Sequence, residues 1–536
     1  MLSFFVAPML VWGSIIPLVG EPLSMLAAAS AAIAFDGSGP SSFKYNGVEF
    51  LQSGWCHVNY TEFTDEDGSK TSGDNSTVRR VDSGSGTVFE SYPWGRVTYQ
   101  FETAGARIHI SVSIHNDSAK TLSSFGMALT TLKFPSKPAE YDGSTPVLGH
   151  NVGDPTALSM SYGSGALVLA NEDVTQPLLV GFPWALDRPR STVFPIQVNT
   201  GRNGMYPDSL PFIDRPIASG ATLSFNLSLR FGSRGSTVET LASDIFRKFA
   251  AAFPHQLKWD DRRSIGMLIL ANSAGGYATN PRGWFNDSSI DVTTPSGIAA
   301  FQQRLLDYAD GSIAILKAMN SQGMITWDIE GEQFPHAISY IGDPRIATTL
   351  APELNGVVDQ YFKKFRDAGL RVGLTLRPQR LVLSSDGESA TQNEVSDPAQ
   401  LLIDKISYAR NHWGCTLFYI DSTGDMSDPV DAAFIERATG AFQDVLLMPE
   451  NKNTRYYAYT APYTELRAGF TSTPARVQRA YPAAFSLINT ADGDLDAKRD
   501  ALRAAVKRGD ILLYRAWFND PDNVKVKALY GAAAQR

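Results

Sequence analysis

Three stretches in the second half of the chain decide the fold: MITWDIE at Met324–Glu330, CTLFYID at Cys415–Asp421 and VLLMPE at Val445–Glu450. Each is a run of β-branched or large apolar residues that stops at an acid, and polar loop residues follow. Parallel strands covered by helices on both faces have this pattern, because water reaches only their ends. A parallel barrel keeps its chemistry at the carboxyl ends of its strands. The pattern therefore predicts a parallel α/β domain with acidic residues at one rim.

The chain after residue 235 alternates predicted strands with predicted helices, which is typical of a βα-repeat domain. Gly323, Gly369 and Gly509 stand one or two residues before a predicted strand, where the end of a helix needs a left-handed residue. The predicted helices include Val238–Phe253, Pro352–Ala368 and Asp496–Lys507. The predicted strands are Ile265–Ala271, Met324–Glu330, Arg371–Leu376, Cys415–Asp421, Val445–Glu450, Ala484–Thr490 and Asp510–Arg515.

A closed barrel of this kind has eight strands, and the pattern yields one fewer. The missing strand either lies in the tail after Asp520 or is absent from an incomplete barrel. With this one position open, we expect a TIM-like (β/α)8 barrel over residues 236–536.

The first half of the chain has the alternation of an antiparallel sheet. Arg107–Ile114 (RIHISVSI) and Thr222–Phe231 (TLSFNLSLRF) alternate polar and apolar residues, and turn-forming residues such as Asn116 and Asp117 follow. No pattern of an amphipathic helix interrupts this region. We therefore expect an antiparallel β-sandwich over residues 35–235, in front of the barrel.

The first 34 residues are unlike the rest. Met1–Gly20 is almost wholly apolar, and the small-residue tract Ala27–Ala34 follows it. Because Ala32-Ile33-Ala34 fits an A-x-A cleavage site, we expect a signal peptide over residues 1–34 and a secreted or periplasmic protein with no stable membrane partner after cleavage. No basic residue precedes the apolar run and two prolines interrupt it, so a retained membrane anchor or a misassigned start codon stays open.

Composition excludes some classes of protein. The hydrophobic fraction of 43% over 536 residues is typical of a globular chain of more than one domain. A net charge of −8 argues against a nucleic-acid partner, which needs a basic face. The 7 histidines do not occur at metal-ligand spacing, so no metal and no cofactor are expected. Cys56 and Cys415 fall in different predicted domains, and Cys415 lies within an apolar strand, which predicts a buried free thiol.

Asp421 is the first candidate for a reacting group. It ends the fourth predicted strand, and because side chains alternate along a strand, Asp421 and Tyr419 point the same way, into the mouth of a barrel. A carboxylate there can attack an anomeric carbon and form a covalent glycosyl intermediate. The alternative is an aspartate that caps the following turn or helix.

Glu450 is the second candidate, at the end of the next predicted strand. Adjacent parallel strands lie about 4.8 Å apart, close to the roughly 5–5.5 Å that separates the two carboxyl groups of a retaining glycosidase. A neighbouring carboxylate raises the proton affinity of one of the two, as a general acid requires. The alternative is a salt bridge to Lys452 or Arg455. Asp492 and Asp494 follow the sixth predicted strand and compete for the acid role, although Asp-Gly-Asp is also an ordinary turn.

Other residues at the predicted rim are expected to contact a ligand. Asp328 and Glu330 stand two residues apart at a predicted strand end, on one face, where they would bond sugar hydroxyls. Arg377 is expected to orient a carboxylate, to bind an anionic sugar, or to neutralise the acidic rim. Aromatic side chains stack on sugars but also fill protein cores. The predicted substrate-binding residues are Trp327, Asp328, Glu330, Arg377, Gln379, Tyr419, Tyr459 and Trp517.

Together these features resemble the retaining α-glycosidases that join an N-terminal β-supersandwich to a catalytic (β/α)8 barrel. These include α-galactosidase-like, α-glucosidase-like and endo-α-N-acetylgalactosaminidase-like hydrolases. The resemblance implies a carbohydrate substrate and a nucleophilic Asp at the end of the fourth strand, which is Asp421. It leaves the acid/base open between a Glu after the fifth strand, which is Glu450, and an Asp after the sixth, which is Asp492.

A glycoside hydrolase is therefore the leading interpretation. An inverting enzyme that uses a wider pair, Asp328 with Glu450 or Asp492, is an alternative. A non-catalytic glycan-binding protein is another, although a binding face needs few desolvated carboxylates. A polysaccharide lyase fits less well, because lyases of this size pair a supersandwich with a helical toroid rather than with alternating strands and helices.

Overall fold

The first half of the chain is a sandwich of antiparallel sheets. The computed structural model of the chain describes residues 29–136, 140–142, 147–148, 157–176, 178–181, 192–199, 215–271, 277–331, 340–383, 390–393, 395–421, 424–425, 428–429, 432–450, 454–465, 471–490, 494–515 and 523–534. The strands of the first half are β1 (Ala31–Asp36), β2 (Gly39–Tyr45), β3 (Val48–Glu49), β4 (Leu51–Ser53), β5 (His57–Thr64), β6 (Lys70–Ser72), β7 (Val78–Asp82), β8 (Thr87–Tyr92), β9 (Gly95–Ala104), β10 (Arg107–Asn116), β11 (Thr121–Lys133), β12 (Glu140–Asp142), β13 (Val147–Leu148), β14 (Ala157–Tyr162), β15 (Gly165–Asn171), β16 (Leu179–Gly181), β17 (Val193–Asn199) and β18 (Thr222–Ser233).

Two large sheets face each other across one apolar core. The first runs β12-β14-β15-β18-β10-β9-β8-β7, and the second runs β13-β16-β17-β11-β5-β6 with β4 beside β11. Period-two alternation explains this layering, since Ile108, Ile110, Val112 and Ile114 of β10 are all buried while the residues between them are not. The predicted antiparallel sandwich is confirmed.

The sandwich begins earlier than the sequence indicated. Strand β1 starts at Ala31 and pairs with β2, and the backbone N–H of Ala31 donates to the carbonyl of Gly105 at 2.7 Å. Residues 31–34, which the sequence placed in the signal segment, thus belong to the sheet, and a cut after Ala34 would fall within β1. Among the helices that the structure describes, none is long and apolar enough to cross a membrane.

The second half is an eight-stranded parallel barrel. Its staves, in chain order, are β19 (Ile265–Leu268), β20 (Gly323–Thr326), β21 (Val372–Leu376), β24 (Cys415–Ile420), β27 (Leu446–Pro449), β28 (Tyr463–Glu465), β29 (Leu487–Thr490) and β30 (Ile511–Arg515). Two hairpins project from its loops: β22 (Arg380–Leu383) with β23 (Ala390–Asn393), and β25 (Gly424–Asp425) with β26 (Asp428–Pro429).

The eight staves are hydrogen-bonded in the order β27-β24-β21-β20-β19-β30-β29-β28. The first and last staves, β19 and β30, pair in parallel, as closure of a barrel requires. The path ends at β27 and β28, the fifth and sixth staves, where the N–H of Ala461 donates to the carbonyl of Leu447 at 3.1 Å. The barrel is therefore nearly closed, and the predicted fold class is confirmed.

The missing strand is Tyr463–Glu465, and our expectation that it lies after Asp520 or is absent was wrong. The described part of that tail, Asn523–Ala534, is a helix. Because Tyr463–Glu465 is the sixth stave, Leu487–Thr490 is the seventh and not the sixth. Asp492 and Asp494 thus follow the seventh stave, and the implied match between Asp492 and an Asp after the sixth strand does not hold.

Helices separate most of the staves, although the predicted helix Pro352–Ala368 is helical only over Val358–Asp367, after a 3-10 turn at Pro352–Leu354. Asp397 caps the helix Pro398–Trp413 by accepting from the N–H of Gln400 at 2.9 Å, and Gly414 ends it with φ +71°. Gly369 and Gly509 are also left-handed, but Gly323 is not; Asn320 takes that conformation instead. The helices are α1 (Val238–Leu241), α2 (Ser243–Ala252), α3 (Pro295–Ala318), α4 (Ala347–Leu350), α5 (Val358–Asp367), α6 (Pro398–Trp413), α7 (Ala432–Gly440), α8 (Ala475–Ala480), α9 (Asp494–Ala497), α10 (Arg499–Arg508) and α11 (Asn523–Ala534), with 3-10 turns at Pro344–Ile346, Pro352–Leu354 and Thr454–Ala458.

Alternation along the staves divides the barrel into a lumen and an outer layer. One buried cluster fills the lumen and is formed by Trp259, Ile265, Met267, Ile325, Leu417, Tyr419, Leu446, Met448, Ala461, Tyr463, Phe485, Leu487, Ile511 and Leu513. The intervening residues, such as Phe418 and Leu447, pack outward against the helices. The lumen is thus a packed core from Trp259 upward, and the chain can carry chemistry only at its mouth. Cys56 and Cys415 are both buried free thiols, as expected for Cys415.

Candidate active site

The mouth of the barrel is formed where lumen-facing positions continue past the strand ends. The ladders pair Thr375 of β21 with Tyr419 of β24, and Tyr419 with Met448 of β27. Two residues further along, this register brings Arg377, Asp421 and Glu450 side by side. Backbone hydrogen bonds extend the ladders to these positions, from Asp421 N to Leu376 O at 2.8 Å and from Glu450 N to Ile420 O at 2.9 Å.

Asp421 is held by Arg377. The Nε and Nη2 atoms of Arg377 lie 3.0 and 2.8 Å from Oδ2 of Asp421, and the two side chains are 10% and 12% exposed. Burial opposes the charge on Arg377, but the electrostatic interactions with Asp421 and Tyr340 and the hydrogen bonds to both together outweigh it and raise the pKa of the guanidinium above its usual value. Arg377 is therefore ion-paired with Asp421, the arrangement that the expected role of orienting a carboxylate requires.

Tyr340 is the second donor to Asp421. Its hydroxyl donates a short hydrogen bond to Oδ2, and the guanidinium of Arg377 lies 4.2 Å from the centre of its ring. Burial, followed by the nearby charge of Asp421, raises the pKa of Tyr340 well above its ordinary value. Tyr340 thus stays a protonated donor across the physiological range, and three donor atoms converge on one oxygen of Asp421.

Aromatic rings line the lumen side of this carboxylate. Trp327 is half-buried, with its ring 4.5 Å from that of Tyr419 and 6.2 Å from that of Tyr340. Tyr463 lies edge-on to Tyr419 at 5.1 Å. Burial, then the charges of Asp421 and Glu450, raises the pKa of Tyr419 well above its usual value. Tyr419 is 2% exposed and lies beneath the two acids, so the half-buried Trp327 is the ring of this group that can pack against the apolar face of a sugar.

Glu450 continues the lumen face of the fifth stave and is half-buried. It neighbours Asp421 because β24 and β27 are adjacent parallel strands in register. Adjacent parallel strands are separated by about 4.8 Å, so the two acidic side chains start from backbone positions about that far apart. Glu450 also has polar contacts of its own.

We expected Asp328 and Glu330 to share one face at a strand end, but they do not. Stave β20 ends at Thr326, so both acids lie in the turn that follows, where alternation no longer applies. Asp328 accepts the backbone N–H groups of Leu270 and Ala271, both at 2.9 Å, and is 1% exposed. It fixes the end of the first stave, which counts against both its predicted sugar contact and its use in an inverting pair.

Glu330 is likewise part of the support beneath the mouth. Its Oε1 accepts the backbone N–H of Asp343 at 2.9 Å, and the residue is 1% exposed. Burial raises the pKa of this carboxyl above its usual value. A direct contact with a ligand would require Glu330 to leave this position, so the structure places it behind the mouth rather than in it.

The remaining predicted residues fall in three groups. Gln379 is buried just past the third stave, where its carbonyl accepts from Lys405 at 3.2 Å. Tyr459 is buried in the cluster that joins α2 to the barrel, which counts against its predicted role as a stacking surface. Trp517 and Asp492 lie outside the described residues, and Asp494 is the first residue of α9.

Reasoning from sequence missed Tyr340, Lys405 and the position of Glu465. Tyr340 lies in a loop and Lys405 lies on the buried, barrel-facing side of α6, and neither carries a strand-end signal. Glu465 ends the sixth stave, so recognition of that stave would have identified it. Within the described residues, no group of three or more His, Cys, Asp or Glu side chains is placed to hold a metal ion.

The fold, unlike the sequence, matches known proteins in the comparisons made. No protein-family model matches it, and no curated protein matches it either. The structure is similar to the α-N-acetylgalactosaminidase NagBb from Bifidobacterium bifidum, with a TM-score of 0.53 and 11% identity over 94% of this chain and 91% of that one. The α-galactosidase AgaB from Geobacillus stearothermophilus matches with a TM-score of 0.44 and 10% identity, over 88% of this chain and 74% of that one. The α-galactosidase from Lactobacillus brevis matches with a TM-score of 0.42 and 10% identity, over 94% and 72%.

The likeness to NagBb spans nearly the whole of both chains, and at 11% identity it is a likeness of fold. It agrees with the β-sandwich and the nearly closed parallel barrel described above. The chain therefore has the architecture that its resemblance to the supersandwich-and-barrel α-glycosidases implied.

Proposed function

We propose that the protein is a retaining glycoside hydrolase of α-linked sugars, with Asp421 as nucleophile and Glu450 as acid/base. The single observation that carries the proposal is the pairing of these two acids at the ends of adjacent staves, with Asp421 oriented by Arg377 and Tyr340. A retaining mechanism needs two carboxyl groups about 5–5.5 Å apart, one fixed to attack and one able to exchange protons.

In the first step, Asp421 attacks the anomeric carbon while the glycosidic C–O bond breaks. Because Oδ2 is held by three donor atoms, Oδ1 is the attacking atom in this proposal. Glu450 gives its proton to the departing oxygen, and the aglycone leaves as an alcohol. The positive charge that develops on the sugar lies next to Asp421 and the half-buried ring of Trp327.

In the second step, Glu450 is a carboxylate and removes a proton from water. The oxygen of that water bonds to the anomeric carbon, and the bond to Asp421 breaks, so that the product keeps the starting configuration. Arg377 and Tyr340 stabilise the carboxylate as it leaves. Each step thus uses the same two acids with exchanged roles.

The test is turnover of p-nitrophenyl glycosides by the wild type, D421N and E450Q. The name of NagBb directs the first choice of substrate to α-N-acetylgalactosaminide, the resemblance of the sequence to α-galactosidase-like hydrolases adds α-galactoside, and the β-anomers are controls. We expect D421N to lose at least 10⁴-fold in kcat, in line with removal of a covalent nucleophile. Near-native turnover by D421N would refute the assignment. An inverted first-formed anomer in the proton NMR spectrum would favour the inverting alternative.

The acid/base role has a second candidate by position, Glu465 at the end of the sixth stave. The comparison of E450Q with E465Q decides between them. Loss of the acid slows substrates with poor leaving groups far more than nitrophenyl substrates, and azide restores the rate. We expect this signature in E450Q and not in E465Q. Measurable glycan binding without turnover by the wild type would instead identify a binding protein.

A further inference from the structure

Lys405 is a buried cation that supports the mouth from outside the barrel. It lies on α6, which packs against the third and fourth staves, and it is 1% exposed. Its Nζ donates to the carbonyl oxygens of Arg377 at 2.7 Å and Gln379 at 3.2 Å. A buried ammonium is costly unless it is hydrogen-bonded, so these carbonyls are part of what keeps the charge in place.

The two carbonyls belong to the turn that carries Arg377 out of the barrel. They flank Pro378, which has no N–H and cannot continue the ladder of β21. At this point the path of the backbone is set by contacts outside the sheet. The ammonium of Lys405 draws both carbonyls to one side of the turn, and the side chain of Arg377 extends towards Asp421 at 2.8 Å.

Lys405 also contacts the segment that carries Tyr340. Its Nζ lies 3.9 Å from Oδ2 of Asp343, whose carboxylate is held by Arg345 at 2.7 Å. One residue earlier, the carbonyl of Gly342 accepts the N–H of Arg377 at 3.2 Å. A Cβ atom at Gly342 would come within 2.8 Å of that same nitrogen, so this close approach requires glycine. The two segments that deliver donors to Asp421 thus lie against each other, and Lys405 contacts both.

We propose that Lys405 is a positioning residue for the active site, holding the 377–379 turn and the 340–343 segment so that their donors converge on Oδ2 of Asp421. The inference rests on the proposed function in one respect, that Asp421 is the reacting carboxylate. A displacement of about 1 Å in such a support is enough to lower a rate by two orders of magnitude.

The charges around Lys405 are consistent with this role. Burial lowers its pKa to about 8, while Asp343 and Glu330 act in the opposite direction and Arg345 and Arg377 add to the lowering. The side chain therefore remains largely charged at pH 7, and a charged donor makes the stronger hydrogen bonds to carbonyls.

The experiment compares Lys405→Met, Lys405→Arg and the control Arg410→Met, which removes a half-exposed cation from the same helix. Crystal structures give the distance from Arg377 Nη2 to Asp421 Oδ2, and assays on the glycoside panel give kcat and KM. We expect K405M to break the contact beyond 3.5 Å and to lower kcat at least 30-fold with KM within 3-fold. K405R should recover a tenth or more of the lost rate, and R410M should match the wild type.

An intact contact with unchanged kcat in K405M would overturn the inference. If K405M does not fold, Lys405→Gln takes its place with the same criteria; failure of both to fold would mean that Lys405 stabilises the domain, and would also overturn it. If the wild type hydrolyses no glycoside, the proposed function fails. The distance in the crystal structures then still decides whether Lys405 positions Arg377.

Discussion

Arg377 binds Asp421 through a single carboxylate oxygen, with Nε and Nη2 at 3.0 and 2.8 Å from Oδ2. The more common paired arrangement engages both oxygens, one by each nitrogen. Because Tyr340 donates to the same atom, one side of the carboxylate is fixed by three donor atoms. The orientation of the Asp421 carboxylate is therefore set by Arg377 and Tyr340, which lie on two other segments of the chain.

Replacement of Arg377 should affect both activity and stability. Arg377→Lys keeps the charge but cannot place two donors on Oδ2, so we expect kcat to fall roughly 10- to 100-fold with little change in stability. Arg377→Met leaves a buried carboxylate without its counter-ion, which costs about 3–5 kcal/mol in comparable buried pairs. Assays of kcat and thermal unfolding measure the two effects. Equal kcat values for R377K and the wild type would contradict the orienting role.

Loss of the Tyr340 hydroxyl should lower the rate without altering the fold. In Tyr340→Phe the ring stays against Arg377 while one hydrogen bond to a charged group is lost, a contribution of about 1.5–3 kcal/mol. We therefore expect kcat to decrease roughly 10- to 100-fold, with KM and Tm close to those of the wild type. A fall in Tm with unchanged kcat would mean that the hydroxyl serves stability instead.

We expect Asp328 to contribute to the stability of the fold and not to ligand binding. In Asp328→Asn the amide nitrogen faces one of the two N–H groups of Leu270 and Ala271, and a buried donor without an acceptor costs about 1–3 kcal/mol. We expect a lower free energy of unfolding in denaturant titrations and an unchanged KM for the folded fraction. A variant with native stability and a strongly raised KM would restore the predicted sugar contact.

Substitutions of Trp327 and Tyr459 should have different effects on kcat/KM, although both side chains were expected to contact sugar. Trp327→Ala removes the half-buried ring beside Tyr419, and we expect kcat/KM to fall about 10-fold, which corresponds to about 1.4 kcal/mol. Tyr459→Phe, within the buried cluster next to α2, is the matched control and should leave kcat/KM unchanged. The reverse pattern would place the ligand surface elsewhere.

Low pH should reduce the stability of the contacts between the β-sandwich and the barrel domain. Burial would raise the pKa of Glu172, but hydrogen bonds from Ser228, Lys248 and Arg230 outweigh it and lower the pKa to about 2. The folded pKa is below the unfolded one, so this stabilisation is complete above about pH 4.5 and is lost as the pH falls towards 2. Glu172→Gln should reduce the drop in Tm between pH 5 and 3. The exposed Glu66→Gln is the control and should retain the full drop.

Much of the fold could be predicted because two periodicities dominate the sequence. Alternation over Arg107–Ile114 and apolar runs such as Cys415–Asp421 each correspond to one kind of sheet. Tyr463–Glu465 has neither signal: it is three residues long and becomes a strand through pairing with β29. Its discovery needed the tertiary structure, and the numbering of every later stave depended on it.

The site was predictable only where alternation held. Asp421 continues the lumen face of a stave, and so does Arg377, which is why both were identified. The position of the Asp328 carboxylate was predicted wrongly because its stave ends at Thr326, two residues before it. Tyr340 lies in a loop and Lys405 on the buried side of a helix that packs on the barrel, and their positions depend on tertiary contacts rather than on strand periodicity.

The packed lumen has one more consequence. Trp259 and the buried side chains above it fill the lumen, so the part of the barrel that the structure describes has no channel through it. A long glycan cannot be threaded through it, so whatever reaches Asp421 must approach and depart by the same opening. Departure of one molecule then has to precede arrival of the next.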